Sequence, residues 1–279
     1  MYDFYNNYCF VVMDVVYVIG TGSQWNNNEL RYSLRSICRY GLGLGRVFIV
    51  GDALPSFINP DKVTYILSRD DPGGTPARNV FGKLCDFFRE CDVEDVLLSS
   101  DDHFFIKPTD FNIYNYPIMY KGSHMPLPGE KGIGGKVYTQ TMIDTGRFMM
   151  ENDLDLRYFE GHTNKWYNRT MWYHMLSFHM TQWMYFDSKY GISTNAPMAA
   201  LLMKHSFGRF KCEYRKDVKL KHLNTPEDWK ELENANCFSI YDSAIKTGVA
   251  DYLAGLFPDP CYFELQFAPK THSSATKLS

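Results

Sequence analysis

The residue types of Asp101-Asp102-His103 point most directly to chemistry. The triplet follows Val96-Leu97-Leu98, an apolar stretch that reads as a strand. Two adjacent carboxylates repel each other unless a cation neutralises them. Mg²⁺ or Mn²⁺ does this with one or two carboxylates and lets substrate phosphates complete its shell. His103 is a candidate further ligand, a choice that would favour Mn²⁺. The alternative is structural, with Asp102 capping a turn and His103 packing on Phe104. Gly20-Thr21-Gly22 follows another apolar run, and glycines there let backbone come close to a nucleotide or sugar. The string is neither G-x-G-x-x-G nor a P-loop, and a plain turn is an equal reading. Arg31 and Arg35 are four apart, hence neighbours on a helix. They are either a phosphate clamp or solvated surface arginines. Lys83 has the same two readings. His162 lies in Phe159-Glu160-Gly161-His162-Thr163-Asn164, a polar loop suited to a general base or an acceptor contact. His222 is a weaker candidate for a late metal ligand.

These residues need elements to position them. Residues 11–19 form a continuous β-branched run, the signature of a strand buried on both faces. Asn26, Asn27 and Asn28 supply N-cap candidates, and Leu30, Leu34 and Ile37 then repeat at helical spacing. Residues 46–50 and 63–67 read as two more strands, 77–91 as a helix and 96–98 as a fourth strand. That β-α-β-β-α-β order predicts an α/β layer with a mostly parallel sheet flanked by helices. Ligands bind such sheets beyond the carboxyl ends of the strands. Gly20–Ser23 and Asp101–His103 both lie at such ends. Residues 121–135 read as a long Gly/Pro loop, 139–152 and 168–186 as helices, and 232–257 as two short helices. The expected organisation is an α/β core over 1–120 and a helix-rich portion over 121–270 completing the same domain. Residues 271–279 read as a flexible tail.

Composition bounds the function. The chain has 279 residues, of which 45% are apolar, enough for a sizeable core. Lys and Arg number 29 against 32 Asp and Glu, a net charge of −3 that argues against a nucleic-acid binder relying on a basic surface. No apolar run approaches the length of a membrane span. The opening residues have no positive segment before an apolar one, so no signal peptide is read. The expected location is the cytoplasm, with peripheral membrane contact left open. The seven cysteines include no C-x-x-C and are read as reduced thiols, not as a disulfide framework or zinc site.

Several strings together resemble the Stealth family of sugar-1-phosphate transferases, whose core is glycosyltransferase-A-like. The likeness begins with Asp14–Ser23, continues through Asn28-Glu-Leu-Arg-Tyr-Ser-Leu-Arg-Ser36, and takes in Arg46–Asp52. Ala77-Arg78-Asn79 with Lys83, and Leu97–Phe105, are similar to the family's acidic motif and to that of its short bacterial or phage-type members. Phe159–His162 with Tyr167-Asn168 resembles its histidine motif. Phe238–Asp242, Leu256–Pro258 and Phe263-Glu264 resemble its C-terminal motif. Two positions depart from the pattern. Val18-Ile19-Gly20-Thr21 stands where the family has Trp-Val-Asp-Gly or Trp-Val-Asn-Gly, and Asn164 stands where it has Pro.

The resemblance implies a nucleotide-sugar donor, a glycan or other hydroxyl acceptor and a divalent cation. Asp101 and Asp102, with His103, would hold that cation on the donor pyrophosphate. Arg31, Arg35, Arg78 and Lys83 would spread phosphate charge. His162 would take the acceptor proton. Asp14, Gly20 and Gly22 would shape the nucleotide pocket. Attack at the β-phosphorus would give a phosphodiester and nucleoside monophosphate; attack at the sugar C1 would give a glycoside and nucleoside diphosphate. A catalytically silent sugar- or nucleotide-binding module and a metal-dependent nuclease or phosphatase are the rival readings.

Overall fold

The computed structural model describes residues 12–112, 116–130, 135–185, 191–205, 211–214 and 218–265. The opening residues and the expected tail lie outside them.

The elements run β1 (Met13–Val18), α1 (Asn28–Tyr40), β2 (Gly41–Leu42), β3 (Leu44–Gly51), β4 (Thr64–Leu67), α2 (Pro76–Glu90), β5 (Asp95–Ser99), β6 (His103–Phe105) and β7 (Thr109–Asp110). The second half continues with β8 (Ile118–His124), α3 (Lys136–Glu151), β9 (Arg157–Tyr158), β10 (Lys165–Asn168), α4 (Arg169–Tyr185), α5 (Asn195–His205) and β11 (Cys212–Tyr214). It ends with β12 (Lys219–Leu220), α6 (Pro226–Asn234), β13 (Cys237–Ile240), a 3₁₀ turn (Asp242–Lys246) and α7 (Val249–Leu256).

The central sheet has the order β10-β5-β1-β3-β4. Its four first-half strands are parallel, and β10 closes the β5 edge antiparallel. Val15, Val16, Val47, Ile49, Val50, Val96 and Leu97 are all buried, as expected of parallel strands covered on both faces. A strand from the second half thus completes the sheet laid down by the first. The structure is a mixed α/β fold with a mostly parallel central sheet, and no described helix is long and apolar enough to cross a membrane.

Three expectations need correction. Residues 237–240 form a strand, not helix: Cys237, Phe238, Ser239 and Ile240 are all buried, and β13 pairs antiparallel with β6. Four apolar or small residues carry no period that separates a buried strand from a buried helix. Second, the start of the expected 121–135 loop belongs to β8. Third, β10 and α5 were not foreseen.

The local reason for β6 matters most to the site. After β5 the chain turns through Ser100–Asp102 and leaves the central sheet, so β6 joins β12 and β13 instead. Among the described residues, only one edge of β6 pairs with a strand. Along the other edge lies α1, whose serines replace a strand partner. Ser33 Oγ donates to the His103 carbonyl at 2.6 Å, and the Phe105 amide donates to Ser36 Oγ at 3.1 Å. Tyr17 on β1 completes the brace, its hydroxyl 2.9 Å from Ser33 Oγ. Ser33 already donates to His103, so the Tyr17 hydroxyl is the donor to Ser33. All these groups are buried. Beyond β6 a second apolar core gathers Phe104, Leu220, Phe238, Ile240, Leu253 and Phe257.

Ser33→Ala deletes both bonds and strands a buried hydroxyl and carbonyl. It is expected to lower stability by about 1–3 kcal/mol in urea unfolding. An unchanged midpoint and slope would show that the brace contributes nothing.

Candidate functional site

A cavity of about 690 Å³ opens at the carboxyl ends of β1 and β5, within the usual size range of small-molecule sites. Its floor is Val18, Leu98 and Ser99; its walls come from the starts of α2, α3 and α5. Three helix amino ends therefore face one space: Thr75 and Pro76 of α2, Gly135 and Lys136 of α3, and Thr194 and Asn195 of α5. Each presents N–H groups and the positive end of a helix dipole. Thr75 caps α2 through its hydroxyl, with Pro76 fixing the first helical φ.

His103 and His162 both line this cavity. The acidic turn and the histidine loop, some 60 residues apart in sequence, thus meet on one space. The loop is held by the Glu160 carboxylate, which accepts from Ser193 Oγ at 2.6 Å, the Ala196 amide at 3.0 Å and Asn195 Nδ2 at 3.1 Å. A buried anion at the start of α5 anchors the loop to that helix. Tyr167 on β10 reinforces the join, accepting from Thr194 at 2.6 Å and donating to Asn195 Oδ1 at 3.0 Å.

Behind the two histidines sit the carboxylates. Burial, then the neighbouring Asp102 and Glu29, push the Asp101 carboxyl up to about 7. Burial also raises Asp102, opposed by the cationic Lys219 and by His162. Asp102 Oδ1 is 3.7 Å from His103 Nε2, and Asp102 Oδ2 is 3.9 Å from Lys219 Nζ. Lys219 Nζ also stands 3.4 Å from His162 Nδ1 and 4.5 Å from the centre of the Tyr241 ring. An ammonium has donors only. The ammonium can therefore donate to His162 Nδ1 in the tautomer that leaves this nitrogen unprotonated.

The three-ligand metal set expected from sequence does not assemble. Among the described residues no three His, Cys, Asp or Glu side chains converge as a metal site. The physical reason is local: Asp101 and Asp102 are consecutive turn residues with divergent surroundings, one near Glu29 and one facing Lys219. What remains is a pair of hard carboxylate ligands, raised in pKa. That pair suits Mg²⁺ or Mn²⁺ only in the mode where water and substrate phosphates supply the rest of the shell.

The basic candidates are elsewhere, and none lines the cavity. Arg35 is fully engaged: Nε and Nη2 donate to Glu264 at 2.6 and 2.8 Å, and Nη1 donates to the Phe257 carbonyl at 2.7 Å. Arg31 lies 3.5 Å from the same carboxylate and 4.4 Å over the Phe57 ring. Lys83 is buried and bonded to Asp70 and to the Ile19 carbonyl at 2.8 Å. It ties the end of β1 to the loop before α2, with two of its three donors engaged. Arg78 is exposed at the start of α2. Asp14 lies near the amino end of β1, where it accepts from the Arg46 amide at 2.7 Å and side chain at 2.6 Å. That is about 13 Å of strand from the cavity end. Gly20 and Gly22 are exposed, neither has a positive φ, and a Cβ would fit at both. His222 is exposed and bonded to Asp228, within the capping box of α6.

Sequence reasoning missed Lys219, Glu160 and the helix starts at Thr75, Gly135 and Thr194. The Thr75-Pro76 pair carried a capping signal; Lys219 carried none. No family model and no curated protein matches the chain.

Asp101 supplies a signed prediction. Its folded pKa lies above the unfolded value near 3.9. Its contribution to stability is therefore full below about pH 4 and lost as pH rises through about 7. Asp101→Asn removes that loss. In chelator-containing buffer the variant should melt a few degrees above wild type at pH 8, with no gain at pH 4. An equal gain at both pH values would refute the burial argument.

Proposed function

We propose that the chain is a nucleotide-sugar-dependent transferase that moves a sugar-1-phosphate onto a hydroxyl acceptor. The observation that carries the reading is the meeting of His103 and His162 on one cavity at the carboxyl ends of β1 and β5, with Asp102 and Lys219 behind them. The Stealth-like strings supply the reaction class. The cavity wall supports it chemically: Ser99, Ser100, Thr141, Ser193, Thr194 and Asn195 offer neutral hydrogen-bonding groups of the kind that suit sugar hydroxyls. The starts of α2 and α3 suit phosphate oxygens, whereas that of α5 already holds the Glu160 carboxylate.

In this reading the starts of α2 and α3, with Lys136, receive the pyrophosphate and His162 contacts the transferred phosphoryl group. In the tautomer that accepts from Lys219 at Nδ1, His162 serves as a hydrogen-bond donor to developing charge, in place of the general base expected from sequence. Phosphoryl transfer through a loose transition state asks more of positioning and electrostatics than of a base. Lys219 is the positioning residue that favours this tautomer and balances Asp102. A divalent cation held by Asp101 and Asp102 would neutralise charge on the departing nucleotide.

Purified protein incubated with UDP-, GDP- and CMP-sugars, Mg²⁺ or Mn²⁺ and a mixed acceptor should release nucleoside monophosphate. Asp102→Asn and His162→Ala should each cut that release by about 10²-fold or more. Lys219→Met should lower turnover and move its pH profile, whereas Lys219→Arg should restore much of the rate. Diphosphate release would establish glycoside formation instead, and no release from any donor would favour a silent binding module.

A further inference from the structure

A pair of histidines lies at the far end of α5, the helix whose start lines the cavity. His174 on α4 and His205, the last residue of α5, meet where these two helices pack against each other. Their ring centres are 5.0 Å apart and their planes are inclined at 72°. His205 is exposed and His174 half-buried, so solvent reaches the pair. The backbones that carry the rings are anchored. Trp172 and Met175, on either side of His174 in sequence, are fully buried, and the Tyr173 hydroxyl donates to the Phe88 carbonyl at 2.9 Å. Leu201 and Leu202 bury the last turn of α5, and Lys204 Nζ donates to the Asp153 carbonyl at 2.9 Å.

We propose that His174 and His205 form a binding site for a borderline divalent cation, Zn²⁺ or Ni²⁺, in which the two imidazoles clamp α4 to α5 and water fills the remaining positions. Imidazole is a preferred ligand of both ions. A zinc–nitrogen bond of about 2.0–2.1 Å places the ring centres of two imidazoles on one tetrahedral cation about 5 Å apart. The observed separation already meets that requirement. The torsion that turns an imidazole about its own stem is broad and soft, so both nitrogens can be aimed at one point without moving either helix. His205 closes α5, and the negative end of that helix's dipole favours a cation beside it. The neighbouring ammonium of Lys204 is engaged by Asp153. Among the described residues no third His, Cys, Asp or Glu joins the pair, so the site is open and water-completed, not a closed structural zinc centre. His205 is ten residues beyond Asn195, about 15 Å along α5 from the cavity. The site is thus separate from the carboxylates of the acidic turn, whose oxygens suit harder ions, and the proposal does not rest on the transferase reading.

The test treats the full chain with diethyl pyrocarbonate and maps histidine modification by peptide over a titration with Ni²⁺ and, separately, Zn²⁺, in excess Mg²⁺. In the wild type the cation should slow modification of His174 and His205 together, with one shared half-saturation concentration. Exposed His222, engaged with Asp228, is the internal reference and should keep its rate. In His205→Gln, a change at an exposed helix end, protection of His174 should require at least about tenfold more cation. Asp102→Asn should leave the protection of both histidines unchanged. Separate half-saturation concentrations for the two histidines would overturn the proposal, as would protection of His174 that His205→Gln does not shift, or protection lost in Asp102→Asn. The wild-type titration decides the matter even where a variant folds poorly.

Discussion

A strand that leaves its sheet must find partners for its backbone, and this fold meets that demand with two serine hydroxyls. β6 has β13 on one side and α1 on the other. A helix cannot ladder with a strand, because its own amides and carbonyls are already engaged. Only side chains can serve, and only short ones let the helix approach closely. Ser33 and Ser36 meet both conditions. The cost of failure is high at this point, since a buried unpaired carbonyl or amide costs about as much as a lost hydrogen bond. The acidic turn hangs on this brace. Asp101 and Asp102 precede β6 directly, so the position of both carboxylates follows from how β6 is held against α1.

The electrostatics of the site follow from that position. The turn carries two carboxylates into a half-buried corner that Glu29 and Asp242 also face. Burial first, and neighbouring negative charge second, raise the Asp101 carboxyl, while burial raises Asp102 against the pull of Lys219 and His162. The chain supplies partial compensation from Lys219, on a strand of the second small sheet. That strand reaches the turn because β12 pairs with β13, which pairs with β6. One sheet therefore brings the acid and its cation together, and the same ammonium reaches His162. Ligand charge and proton position are coupled here: a cation bound at the carboxylates would compete with Lys219, and moving Lys219 would release the Nδ1 of His162.

Strong local periodicity made the central sheet legible in the sequence. The β-branched runs of β1, β3 and β5 and the Leu30-Leu34-Ile37 stripe of α1 mark elements whose burial dictates their composition. The acidic turn and the histidine loop were legible as candidates for the same reason, since both are polar strings set against apolar neighbours. What failed was partnership. Arg31, Arg35 and Lys83 look like phosphate ligands in one dimension, yet their partners are Glu264 and Asp70, at separations no local pattern encodes. Asp14 looks like part of a strand-end site, but lies at the other end of its strand beside Arg46. Ser33 and Ser36 sit inside an apolar stripe, where a serine reads as neutral filler. β13 was lost because four buried residues have no period. Two of the three helix starts around the cavity are contributed by the second half, whose weaker periodicity hid α5.

Several of these partnerships share a centre, and it is α1. Leu30, Leu34 and Ile37 fix the helix to the main core. Ser33 and Ser36 hold β6 and through it the acidic turn. Arg31 and Arg35 hold Glu264 and through it the C-terminal segment. Three sets of side chains on one rigid helix thus join the sheet, the site and the chain's return. A close-packed element transmits displacement instead of absorbing it. Much of the long string from Asn28 to Ser36 is then explained by mechanics: its two serines fasten β6 to the helix, its two arginines fasten Glu264, and none of these four lines the cavity.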